Sequence, residues 1–398
     1  MSSKLAFLSL LLLLLFPYIT STLSKSNPKG THNSEDYDDE EGEERQERKQ
    51  KKSKLMEYSH HVQDEESLQD ILGNHNHLDT DDSKTSFIKL AYVTPWNNHG
   101  YDVAKWAAKK FTHIAPVWFQ FTPKLFGNDL ACEITGQHDI DQNWIDDIRL
   151  NNTAMKIVPR FLFEVKDSKL AQKFLKDQKA QIRCVDAMDS LLKKMRADGL
   201  VLEAYLQILS STKSQEGIQL GIDFIGRAGR RFKKHNKISI VPLTPPVSDN
   251  GPIFNAEIIA PLCKDVDYIN LMTYDYIGQQ YPGLAPAPWI LVNLEFLKEI
   301  DESFLAKTLL GVNYYGACKD GGIQHVFGQS AVDLVEESEI LAWDEETKQH
   351  IIELEDRVCS IPTKRNLEAR LEIVEEYNLP GIAIWDLGQG FDHFTEVL

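Results

Sequence analysis

Aromatic and acidic residues recur at the C-terminal ends of short apolar runs. They are Tyr92 and Trp96, Trp118 and Gln120, Glu164, Glu203 and Tyr205, Tyr274 and Asp275, Asn313 and Tyr315, then Trp385 and Asp386. Flat rings take the C–H faces of a sugar while carboxylates and amides take its hydroxyls, so the combination suits a carbohydrate. Singly, each has a plainer reading. A strand Trp or Tyr often fills a core, and Asp275 or Asp386 could cap a following helix. The recurrence at equivalent strand ends carries more weight than any member.

Such residues need a scaffold that brings strand ends together. Apolar, β-branched or aromatic runs at 87–93, 111–121, 155–164, 199–205, 237–244, 266–274, 308–315 and 381–386 predict strands. Between them the period becomes helical: Ile182, Val185, Met188, Leu192 and Met195 share one face, as do Ile218, Ile222, Ile225 and Phe232. Alternating strands and helices require parallel pairing with crossover helices. The fold class is therefore α/β, a (β/α)8 TIM barrel whose chemistry sits at the C-terminal strand ends. A doubly wound sheet is the alternative, weakened because no GxGxxG follows the first strand. The span 316–380 is longer than one helix needs and predicts a small α/β insertion between strands 7 and 8.

The 398 residues are 42% hydrophobic, enough for a large core, and the net charge is −17. An acidic chain is a poor nucleic-acid binder, because phosphate contacts need a basic surface. Lys4, the apolar run 5–16 and the small residues near Ser24 predict a cleavable signal peptide over 1–24. That run is too short to span a bilayer comfortably, and no later segment reads as a membrane span. Residues 25–84 predict a disordered charged linker: eight carboxylates lie between Glu35 and Glu44, and six bases against one acid between Arg45 and Lys54. The barrel then occupies 85–398. Secretion is expected, with retention in a lysosome-like lumen as the other route. Glu396-Val397-Leu398 is no retention signal.

Asn151-Asn152-Thr153 is an N-glycosylation sequon. The five cysteines are odd in number and lie in no CxxC or Cys/His cluster, so they predict buried thiols with about one bridge among them, its pairing open. His60, His61, His75 and His77 beside Asp79, Asp81 and Asp82 lack a fixed ligand geometry. No metal and no organic cofactor is expected.

Asp198-Gly199-Leu200-Val201-Leu202-Glu203-Ala204-Tyr205 resembles DGxDxDxE, the fourth-strand signature of family 18 glycoside hydrolases. Met272-Thr273-Tyr274-Asp275 is similar to their sixth-strand MxYD, and residues 381–385 to their last strand. Phe111-Thr112-His113-Ile114 and Ala91-Tyr92 through Trp96 resemble their second and first strands. Tyr92-Val93-Thr94-Pro95-Trp96-Asn97, Val158-Pro159-Arg160 and Trp385-Asp386-Leu387-Gly388-Gln389-Gly390 resemble the secreted chitinase-like branch of that family. The likeness covers about 87–398.

The resemblance implies substrate-assisted hydrolysis of N-acetyl sugars, outside the usual two-carboxylate scheme. There a terminal Glu protonates the glycosidic oxygen, and an Asp two residues earlier orients the N-acetyl group. On this sequence the two Asp positions become Val201 and Glu203, and the acid becomes Tyr205. Period-2 alternation would put all three on one face, with Glu203 ~7 Å deeper than the acid position. A proton donor must lie within ~3 Å of its target, so useful hydrolysis is not expected. The resemblance then implies a lectin-like groove for N-acetylglucosamine oligosaccharides, with Tyr274 and Asp275 contacting the sugar and Trp385 beneath it. Glu164 replaces a small residue of typical chitinases and would narrow the groove. Two other readings stay open: a weak glycosidase using Glu203, and a scaffold binding a protein through the linker or the insertion.

Overall fold

Alternating apolar residues, one inward and one outward, organise the central sheet. The computed structural model describes residues 61–212, 214–248, 251–252, 259–277, 283–319, 322–354 and 357–398. The expected signal peptide and both blocks of like charge lie outside the described residues. The parallel strands, in chain order, are β1 (Ile88–Val93), β2 (His113–Pro116), β3 (Phe119–Phe126), β4 (Lys156–Ile157) and β5 (Arg160–Phe163). They continue with β6 (Gly199–Glu203), β7 (Ile238–Leu243), β8 (Tyr268–Leu271), β9 (Thr308–Asn313) and β10 (Gly381–Trp385).

Their hydrogen-bonded order is β3-β5-β6-β7-β8-β9-β10-β1-β2-β4, with Asp129–Thr135 added as an antiparallel hairpin partner of β3. Only Val117-Trp118 separates β2 from β3, and only Val158-Pro159 separates β4 from β5, so the sheet curls back toward its own start. Val201 N donates to Pro159 O at 3.0 Å and Asp198 N to Ile157 O at 2.8 Å across that gap.

Leu90, Tyr92, Ala115, Val117, Val158, Val201, Ile240, Leu309 and Ala383 fill the inside of the curl. Their sequence neighbours, among them Leu200, Leu202, Val241 and Ile384, join the helices in a larger outer core. This is the period-2 alternation of a strand buried on both faces. The helix Gln215–Lys234 starts where Ser214 accepts from Gly217 N and ends in Arg231, Lys233 and Lys234, placed favourably against its dipole. It buries Ile222, Ile225 and Phe232 as its period predicts. In Gln178–Lys194 the buried face runs through Cys184, Val185, Met188 and Leu192, while Ile182 is turned outward. Among the described residues no helix is long and apolar enough to cross a membrane.

A second sheet is antiparallel. It contains Gly316–Lys319, Ile323–Val326, Ala342–Asp344, Gln349–Glu353 and Val358–Ile361, all between β9 and β10, and is completed by His61–Gln63. That last strand corrects the expected linker, which was drawn to residue 84. Val62 pairs with Trp343, and the helix Glu65–Asn74, capped by Asp64, buries Leu68 and Ile71. Two apolar side chains three residues apart are a weak signal in a polar stretch, and docking onto the second sheet supplies the rest. Lys84 N then donates to Leu398 O at 2.9 Å.

The cysteine expectation is also corrected, since there are two bridges, Cys132–Cys184 and Cys318–Cys359, with Cys263 free and buried. Cys318 and Cys359 are directly opposed on paired strands, a proximity that a separation of 41 residues does not reveal.

Candidate functional site

Two neighbouring parallel strands build the centre of the mouth. β5 and β6 pair so that Arg160 lies opposite Val201 and Leu162 opposite Glu203. Glu203 is the last residue of β6, on the same face as the inward Val201. Its Oε2 accepts from Arg160 Nε at 2.5 Å, and its Oε1 accepts from Gln207 Nε2 at 3.3 Å. Arg160 stands 5.9 Å from the Trp385 ring centroid, and Trp385 lies 5.1 Å from the ring of Tyr92. Tyr92 is buried, its hydroxyl accepting from Asn270 Nδ2 at 2.9 Å, and burial pushes its pKa well up. Carboxylate, guanidinium and two rings thus share one small space.

The chain beyond β8 adds Tyr274 and Asp275. Tyr274 is half-buried, and the loss of solvent around its hydroxyl raises its pKa. Gly311 on β9 makes room for it: a Cβ there would sit 2.4 Å from Leu271 O and 3.0 Å from Tyr274 Cε1. Asp275 is exposed at φ 59° and accepts from the Tyr315 hydroxyl. Asn313 Nδ2 donates to Tyr315 O at 2.7 Å, tying the end of β9 to the same corner.

Asp386 follows Trp385 but points away from solvent. Its carboxylate accepts from Gly388 N at 3.0 Å, Thr94 Oγ1 at 3.3 Å and Asn97 Nδ2 at 3.4 Å. Burial dominates these bonds and pushes its pKa up to about 6. It clamps the loop after β10 to the loop after β1 rather than capping a helix.

Several expected site residues are therefore together: Tyr92, Glu203, Tyr274, Asp275, Asn313, Tyr315 and Trp385. Tyr205 is not among them. The β ladder ends at Glu203, Ala204 turns the chain, and Tyr205 opens the helix Tyr205–Ser211. Its ring is buried in the outer core with Leu202, Ala204 and Ile208. The alternation that would have turned residue 205 inward stops two residues too early. Glu203 consequently stands at the strand end, not deep beneath it.

Trp118 is likewise corrected. Ala115 and Val117 face inward, so Trp118 falls on the outer face, its indole fully buried in the outer core and donating to Tyr101 OH at 2.7 Å. Trp96 is 68% exposed in the loop after β1. Glu164, just past β5, accepts from Thr122 Oγ1 at 3.1 Å and pairs with Lys166 at 3.0 Å. Asn151 is exposed at the end of the helix Gln142–Asn151. His75 and His77 have separate partners, Ile71 O and Glu396. Arg160, Asn270 and Gln207 were missed as site residues. For Arg160 a signal existed, since a charge at an inward position of an apolar strand needs a partner.

The family model described as Glycosyl hydrolases family 18 matches residues 88–390, which contain every parallel strand. The chain belongs to that family. Solved structures agree on the fold of this family 18 chain. A chitinase from Chromobacterium violaceum is 17% identical, with a TM-score of 0.63 over 78% of this chain and 98% of that one. A chitinase from Cycas revoluta, solved with (GlcNAc)3, is 13% identical, with a TM-score of 0.62 over 78% and 98%. A spore cortex-lytic enzyme from Bacillus megaterium is 16% identical, with a TM-score of 0.60 over 78% and 73%. At such identities the likeness is one of fold, and the side chains in the mouth are this chain's own.

Proposed function

We propose that this family 18 chain is a secreted, non-hydrolytic, chitinase-like lectin that binds N-acetylglucosamine oligosaccharides in the mouth of a (β/α)8 barrel. The antiparallel sheet between β9 and β10 is that barrel's insertion. One observation carries the reading: both oxygens of Glu203 serve as acceptors, one from Arg160 and the other from Gln207. A general acid needs an O–H aimed at the glycosidic oxygen, and its loss removes about 10²–10⁴-fold in rate. At the family's acid position stands Tyr205, whose burial pushes its pKa well up and whose ring is in the outer core. Trp385, Tyr92, Tyr274 and Asp275 remain to stack on a sugar and bond its polar groups. The Cycas revoluta chitinase was solved with (GlcNAc)3, which supports the choice of ligand.

Two disulfides support an oxidising, secretory route, whether the chain is exported or kept in a lysosomal lumen. On that route Asn151, exposed within its sequon, is the acceptor for an N-glycan.

A second reading is favoured by the position of Glu203, which stands at the strand end where a catalytic carboxylate belongs. In it the chain is a weak glycosidase with Glu203 as acid. Titrating the purified chain with chito-oligosaccharides, with tryptophan fluorescence and a reducing-end assay on the same samples, separates the two. Saturable quenching with intact sugar supports the lectin. Cleavage that Glu203→Gln abolishes makes it an enzyme. Neither response leaves a scaffold for a protein partner.

A further inference from the structure

Among the described residues Arg160 is the one guanidinium whose partner lies in the mouth, and only part of it is used. Nε donates to Glu203, while among the described residues no group accepts from Nη1 or Nη2. These terminal nitrogens are absent from the sealed, unpartnered atoms of the interior, and Arg160 keeps 9% of its surface. The end of the fork, four N–H bonds in one plane, is therefore open to a ligand, with the guanidinium carbon 5.9 Å from the Trp385 ring centroid. A guanidinium in that state matches a carboxylate or sulfate, which two parallel N–H···O bonds can hold.

Glu203 sets the balance. It neutralises Arg160 for an uncharged ligand and fixes the plane of the guanidinium through Nε. It leaves the opposite edge free, so an anionic group completes an acid–base–acid row. Of the other carboxylates at the strand ends, Asp275 is engaged by Tyr315, and Glu164 by Thr122 and Lys166. We infer that Arg160 selects acidic saccharides: the ring stacked on Trp385 carries a carboxylate or sulfate that binds across Nη1 and Nη2. This rests on the proposed sugar-binding reading and names its ligand class.

The test compares three tetrasaccharides on the intact chain: chitotetraose, a hyaluronan tetrasaccharide bearing glucuronate, and 6-O-sulfated chitotetraose. Calorimetry should show an acidic ligand bound about tenfold tighter than the neutral one, with the advantage shrinking as salt rises. The two acidic ligands distinguish carboxylate from sulfate as the preferred group. Arg160→Gln should erase the advantage, and Arg160→Lys, which keeps charge without the fork, should lose most of it. Glu203→Gln should increase it, because an anion then meets an uncompensated cation. Near-UV circular dichroism checks that each variant is folded. Equal or tighter binding of chitotetraose by the wild type, or an acidic preference that survives Arg160→Gln, overturns the inference alone. No binding of any of the three overturns it together with the sugar-binding reading.

Discussion

Arg160 and Glu203 face each other across adjacent parallel strands, Nε to Oε2 at 2.5 Å, with side chains only 11% and 16% exposed. Neither residue could occupy this site alone, because a charge so far from water needs its counterpart. On the proposed reading the pair also bears on chemistry, since it holds the Glu203 carboxylate as an acceptor.

Arg160→Met should cost about 3 kcal/mol of stability by stranding Glu203. The double variant Arg160→Met/Glu203→Leu should recover most of that loss. Urea unfolding of the two single variants and the double measures the coupling. A double variant no more stable than Arg160→Met would show that the pair is not energetically linked.

Placing the family's acid back at its sequence position should not create an enzyme. Tyr205→Glu puts a carboxyl in the outer core, and burying it without partners costs about 3 kcal/mol. A fall in melting temperature without release of reducing ends is expected. Hydrolysis by this variant would mean that residue 205 faces the mouth after all.

The two tryptophans expected in the groove should behave oppositely. Trp385→Ala should weaken oligosaccharide binding by about tenfold or more while the protein stays folded, as loss of a stacking ring predicts. Trp118→Ala should lower stability by about 4 kcal/mol, as removal of a buried indole does, and leave affinity unchanged in the folded fraction. Parallel titrations and denaturation curves decide between the assignments.

Asp386 gives the fold a pH dependence of definite sign. Its pKa is about 6 when folded against an ordinary 3.8, so between these values the native state holds a proton the unfolded chain has lost. Stability from this group is complete below about pH 4 and is lost as pH rises through about 6, on the order of 3 kcal/mol in all. His113 and His393, both pushed down to about 4 by burial, act in the opposite direction on acidification. The difference between wild type and Asp386→Asn isolates the carboxyl. It should shrink between pH 6.5 and 4.5, and a difference constant over that range would show that Asp386 is ionised throughout.

Each of the eight predicted runs contains a parallel strand, and the runs 111–121 and 155–164 each split into two, because alternation between two apolar faces is a local property. Tyr92, Glu203, Tyr274, Asp275, Asn313, Tyr315 and Trp385 could be named for a related reason: each sits at or just past a strand end, and parallel strands bring their ends together. The ordered segment after His61 was not legible, since Leu68 and Ile71 bury only against elements hundreds of residues away.

What the sequence by itself determined is the order of strands, the face each residue takes while a strand lasts, and the family signature around Asp198. Where each strand stops was decided by tertiary structure. A strand persists only as far as its neighbour pairs with it: β6 loses β5 after Glu203, so Tyr205 turns into the outer core. Arg160 was written in the chain as an odd charge in an apolar strand. Its meaning came only with Glu203 beside it, because the worth of a buried charge depends on the partner that the fold supplies.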